Sequence, residues 1–232
     1  NLTRDLFAEG ALSSAFVPTF TEHLSKRSKE EAAELANLVA TAIVLLVGGL
    51  CLLGIIFSPQ LVTLLASGFR EVPGKFELAV NMTRIMFPFL LLVALAAQAM
   101  GILNACNQFA IPATASTMFN IGSLVFGLLL GKVIGPYVGL PAIYGMAYGI
   151  VMGGALQFVW QLPALRRAGF AFRPRIDWSN PGMRRILVLI GPAILGNAAV
   201  QINVTVNTQF ASHLGDGPIS CLPVAPALPG RA

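Results

Sequence analysis

The sequence predicts an all-α integral membrane protein, a six-helix transmembrane bundle, and three observations carry that prediction. Only 11% of the 232 residues are charged, where soluble domains carry about 25%. Uncharged apolar runs reach spanning length, which takes about 20 residues of helix. The arginines gather in the connections beside those runs, as the positive-inside rule describes. The spans are expected at about 2–24, 35–57, 84–104, 112–131, 140–162 and 186–211, so that residues 1–214 form one membrane unit and 215–232 a Pro/Ala-rich tail. Little length is left for a separate soluble domain. The net charge of +5 does not indicate nucleic acid, because the basic residues lie in loops beside apolar segments.

The opening helix differs from the rest in carrying Arg4, Asp5 and Glu9. A charge near the bilayer centre costs roughly 2.5 to 3.5 kcal/mol on insertion scales, so such residues face a wet cavity or a partner. Arg4 and Asp5 lie near the start of the helix and could also reach the interface by snorkelling. Glu9 sits deeper, on one face with Asp5 and Ser13. Gly10 with Ser14 and Ala11 with Ala15 invite close approach of a neighbour. Pro18 removes a backbone donor and is expected to bend the helix.

The polar run from His23 to Glu34 reads as a solvated connector leading into a helix start. Leu35 to Phe57 follows as an uncharged span with Gly48 and Gly49 as a packing or bending point, and Pro59 stops it. Ser58 to Met82 reads as a short interfacial segment and a loop around Pro73-Gly74. The next span, Arg84 to Asn104, is interrupted by Pro88 and joined by a tight turn to an antiparallel successor. In that successor Ser116, Asn120 and Ser123 share a face. The stripe fits a cavity lining or interhelical hydrogen bonding equally well. Gly145, Gly149 and Gly153, four apart, form a close-packing face on the following span.

Pro163 to Arg185 holds six arginines against the single Asp177 and is expected on the cytoplasmic side. By alternation the opening helix then runs from outside to inside. In the last span Asn197, Gln201, Thr205 and Thr208 lie within about 80° of one face, more polar groups than packing usually demands. Cys51, Cys106 and Cys221 are far apart, and only His23 and His213 are present, so no metal-ligand spacing exists. No nucleophile constellation or nucleotide-binding loop is visible. The chemistry points to transport without a cofactor, not to an enzyme. The chain begins without Met inside a helix-like pattern and shows no signal peptide; it reads as a piece of something longer.

Asn1-Leu2 with Arg4, then Phe7-Ala8-Glu9-Gly10-Ala11 and Ala15-Phe16-Val17-Pro18, resembles the second helix of the MurJ/MviN lipid II flippases. Ile102-Leu103-Asn104 with Asn107, Phe109 and Ile111-Pro112-Ala113 is similar to that family's junction of helices four and five. Gln161-Leu162-Pro163 resembles the end of its sixth helix and Gly191-Pro192-Ala193-Ile194-Leu195-Gly196 the start of its seventh. The likeness covers about residues 1 to 220; Cys221 to Pro226 departs from the arginine-bearing segment the family has there.

The resemblance implies part of the N-terminal lobe of a MATE-like fourteen-helix exporter fold, in a multi-pass protein of the bacterial inner (cytoplasmic) membrane. Lipid II, membrane lipids and a coupling ion are the partners it implies. Arg4 is the family cavity arginine that carries over, Glu9 is the acidic position beside it, and Asn1 belongs to the same motif. Together with Asn197 and Gln201 these are the candidate cavity residues. Glu9 would hold Arg4 or a helix-one partner, or exchange ions or protons during the cycle. A drug/cation antiporter or polysaccharide-lipid flippase of the same superfamily, and a structural bundle or inert gene fragment, stand as alternatives.

Overall fold

The computed structural model describes residues 11–186 and Val188, and the candidate residues Asn1, Arg4, Glu9, Asn197 and Gln201 lie outside them, as does the 215–232 tail. The described residues form an all-α bundle with no strand among them. Helix α1 spans Ala11–Lys26, α2 Lys29–Ile56, α3 Ser58–Leu65, α4 Lys75–Ala105, α5 Ala110–Leu128, α6 Gly135–Val138 and α7 Ala142–Arg167. A 3-10 turn at Ser67–Glu71 precedes α4, and a π-helical stretch at Leu129–Ile134 runs from α5 directly into α6. Four segments are long and apolar enough to cross a membrane: Lys29–Ile56, Lys75–Ala105, Ala110–Val138 and Ala142–Arg167.

Two of these helices begin well before the apolar runs that mark them in the sequence. The polar stretch read as a connector is only a two-residue break at Arg27 and Ser28, because Ser28 caps α2 by accepting a 3.1 Å hydrogen bond from the Glu31 amide. Glu30 and Glu31 in the first turn also suit the positive end of the helix. Likewise α4 starts at Lys75, directly after Gly74, whose φ of 75° only glycine adopts without strain. The segment before it, read as interfacial, contains α3 with Pro59 in its first turn.

The turn from α4 to α5 is fixed by Asn107, which has a φ of 59°. The Gln108 amide donates to the Leu103 carbonyl at 2.9 Å and the Asn107 amide to the Asn104 carbonyl at 3.0 Å, the paired bonds that close a helix with a left-handed residue. The main core joins α1, α2, α4, the end of α7 and the segment that follows it. Phe16 and Phe20 stack at 5.2 Å and Phe20 meets Phe170 at 5.6 Å. Gly101 on α4 admits this corner, since a Cβ there would lie 3.0 Å from Val17 and 3.3 Å from the Phe16 ring. Pro18 points away from the core.

The packing glycine of α2 is Gly54, where a Cβ would run into the Phe87 ring, while nothing lies within 4 Å of a Cβ at Gly49. The face of Gly145, Gly149 and Gly153 finds its partner inside the chain. It packs on Gly127, Gly131 and the backbone of Phe119 and Ser123 in the antiparallel segment. Ser123 therefore belongs to this contact, its hydroxyl bonded to the Asn120 carbonyl at 3.1 Å, and Asn120 itself is exposed.

Candidate functional site

The described part of α1 ends in a charged corner. Glu22 accepts from Lys26 at 3.2 Å and from Arg185 at 2.6 Å, so one carboxylate ties α1 to the helical turn at residues 181–186. That turn is started by Asn180, whose side-chain oxygen accepts from the amides of Gly182 at 2.9 Å and Met183 at 3.3 Å. His23 holds the Thr19 carbonyl at 2.8 Å, and with Lys26, Arg27 and Gly182 it surrounds a cavity of about 340 Å³. The geometry joins the end of α1 to the turn at 181–186; the candidates Arg4 and Glu9, before α1 in the sequence, and Asn197 and Gln201, after that turn, lie outside the described residues.

The arginine-rich segment after α7 is pinned along α2. The Arg173 amide donates to Asn37 Oδ1 at 2.9 Å, the Arg175 amide to the Thr41 hydroxyl at 3.1 Å, and the Arg175 guanidinium to Glu34 at 2.7 Å. An exposed ion pair such as Arg175–Glu34 contributes about 0 to 1 kcal/mol, so its role is placement more than stability. These attachments join residues far apart in sequence, and the only hint in the sequence was the surplus of arginine opposite the acidic start of α2.

Between α2, α4 and α7 lies a second cavity, of about 570 Å³. Its walls are mostly apolar, among them Ala36, Ala40, Leu95 and Phe158, and Arg166 stands at its rim. Two buried glutamines brace the surrounding helices. Gln98 donates to the Ala36 carbonyl at 2.7 Å, and Gln161 donates to the carbonyls of Ala96 and Gln157, each at 3.2 Å. Cys51 is buried and donates to the Phe87 carbonyl at 3.1 Å, a packing role. Among the described residues no group of His, Cys, Asp and Glu could hold a metal ion.

Long apolar helices, close glycine contacts and charges kept to the helix ends define a multi-helix integral membrane protein. Comparison with known proteins makes this specific. The family model described as "Lipid II flippase MurJ" matches residues 1–228, and the chain belongs to that family. The match runs past residue 220, where the resemblance was expected to end. The chain is 34% identical over 220 residues to the probable lipid II flippase MurJ of Buchnera aphidicola subsp. Acyrthosiphon pisum, covering 95% of this chain and 42% of that protein. It is 32% identical over 232 residues to the lipid II flippase MurJ of Burkholderia cenocepacia, covering 98% and 44%.

Among solved structures it resembles "Lipid II flippase MurJ, inward closed conformation" with a TM-score of 0.74 and 26% identity, over 97% of this chain and 44% of that one. The chain thus spans under half the length of the relatives it matches.

Proposed function

We propose that this chain is part of the N-terminal lobe of a flippase that moves lipid II across the bacterial cytoplasmic membrane by alternating access. The observation that carries the reading is the family match over residues 1–228, supported by a helical bundle of the same shape as a solved family member. In this reading the protein is a transporter and not an enzyme.

Lipid II carries a diphosphate, and a guanidinium makes paired, charge-assisted hydrogen bonds to such a group that a lysine does not reproduce. Arg4 is the proposed anchor, Asn1 and Glu9 stand beside it in the same motif, and Asn197 and Gln201 supply neutral hydrogen-bonding groups from the last span. Glu9 orders the arginine or takes part in ion or proton exchange. Rocking of one lobe against another about a central site is how such folds alternate, so the 232 residues alone are not expected to flip lipid.

The test is lipid II binding to a full-length family protein that contains this chain. Arg4→Lys loses at least one charge-assisted hydrogen bond, worth about 1.5 to 3 kcal/mol, and affinity should fall by roughly tenfold or more. Arg167→Lys, at an exposed position on the end of α7, should bind as the parent does. Equal affinity in both variants would remove Arg4 from the substrate site.

A further inference from the structure

The cavity between α2, α4 and α7 plays no part in the proposed transport site, yet its shape and charge are specific. Along α2 its lining runs from Ala33 to Val44, about 16 Å at 1.5 Å per residue, close to the roughly 15 Å of one leaflet's hydrocarbon. Val44, at one end of that lining, is 39% exposed, and Phe172, next to the Arg173 amide that meets Asn37, is 58% exposed, so the groove is open at the side of the bundle.

One polar atom of each amide in the wall is occupied. Gln98 Nε2 donates to the Ala36 carbonyl, and Asn37 Oδ1 accepts from the Arg173 amide. What remains is an apolar trough ending at two cations. Arg166 lines the end of the groove, and Lys29 lies one turn before Ala33 with its ammonium 6.0 Å from the centre of the Phe170 ring, another lining residue.

Neither cation has an acidic partner within ion-pair distance among the described residues, because the nearby carboxylates are engaged elsewhere. Glu31 pairs with Arg27 at 3.0 Å and Glu34 with Arg175 at 2.7 Å. Glu30 hydrogen-bonds Ser28 at the start of its own helix.

We propose that this groove seats an acyl chain of an anionic glycerophospholipid from the leaflet on the arginine-rich side, with the lipid phosphate held between Arg166 and Lys29. A chain-long apolar slot asks for a hydrocarbon tail, and two cations without a carboxylate partner among the described residues ask for a phosphate with net negative charge. A zwitterionic lipid would fill the slot but gain less at its rim. The site stands independently of lipid II transport and would hold for any membrane protein with this bundle.

A full-length family protein containing this chain, equilibrated in detergent with equal amounts of phosphatidylglycerol and phosphatidylcholine, is the material for the test. Bound lipid is counted by native mass spectrometry. The parent should retain phosphatidylglycerol in excess, and a Lys29→Gln, Arg166→Gln double variant should lose that preference by roughly fivefold for each cation removed. Ala40→Phe, which fills the trough without touching charge, should lower the total lipid retained. Arg184→Gln, an exposed arginine outside the groove lining, should change neither quantity.

An unchanged preference in the double variant, or an equal loss in Arg184→Gln, would overturn the assignment. So would full lipid retention by a folded Ala40→Phe protein. Undecaprenyl diphosphate displacing the phospholipid from the parent but binding Ala40→Phe poorly would give the groove to the transported lipid instead, and also overturns it.

Discussion

The contact between α5 and α7 and the junction of α2, α4 and α7 use small residues to opposite ends. In the first, glycines on both helices bring the backbones together. A Cβ at Gly149 would lie 2.8 Å from the Ser123 carbonyl oxygen and closer still to the Gly127 backbone, and one at Gly153 would lie 2.7 Å from the Phe119 carbonyl oxygen. In the second, Ala33, Ala36, Ala40 and Ala99 face large residues set too far apart to fill the space, and a groove of about 570 Å³ remains. Without a hydrophobic drive between helices in lipid, the first arrangement gains its stability from backbone contact. The second leaves the groove open.

The largest effect is expected at Gly149. Gly149→Leu places a side chain where backbone atoms cannot swing aside, and the cost should reach or exceed the upper part of the about 1 to 3 kcal/mol typical of overpacking. Thermal unfolding in detergent should show a large drop in midpoint or no folded protein at all. A glycine facing open space should behave in the opposite way: Gly49→Ala, with nothing within 4 Å of the new Cβ, should stabilise α2 by about 0.5 to 1 kcal/mol. Smallest of all should be the effect of Ala40→Phe, which enters the groove and should shift stability by less than about 1 kcal/mol, because filling space replaces neither a backbone contact nor a hydrogen bond. Similar losses for Gly149→Leu and Ala40→Phe would mean that the groove is no more open than the glycine seam.

The glycine seam was legible because a four-residue repeat of one residue type has a single geometric reading on a helix. The turns at Asn107 and at Pro73-Gly74 were legible for a similar reason, since left-handed backbone selects glycine or asparagine. The extent of the helices was not. Counting apolar residues measures the thickness of hydrocarbon, whereas backbone hydrogen bonding continues into the interface wherever a cap such as Ser28 receives it. Hence α2 begins at Lys29 and not Leu35, and α4 at Lys75 and not Arg84. The groove was invisible because a void has no periodicity, and the Arg175–Glu34 and Arg185–Glu22 pairs because they join residues distant in sequence. For the proposed transport site the sequence is the guide: its charged helix and polar last span are why Arg4, Glu9, Asn197 and Gln201 are put forward.

The orientation of the bundle decides which leaflet would reach the groove. The Arg166 to Arg185 segment carries the largest excess of arginine and is expected in the cytoplasm. A reporter active only in the periplasm, fused at Asn180, should be silent. Strong activity there would invert every helix.

Whether Arg4 serves a lipid II translocation path is read in cells depleted of their own flippase. A full-length family protein containing this chain should restore growth and lipid II turnover. Arg4→Lys should restore much less, while Arg167→Lys restores both. Rescue by Arg4→Lys as complete as by the parent would contradict the account.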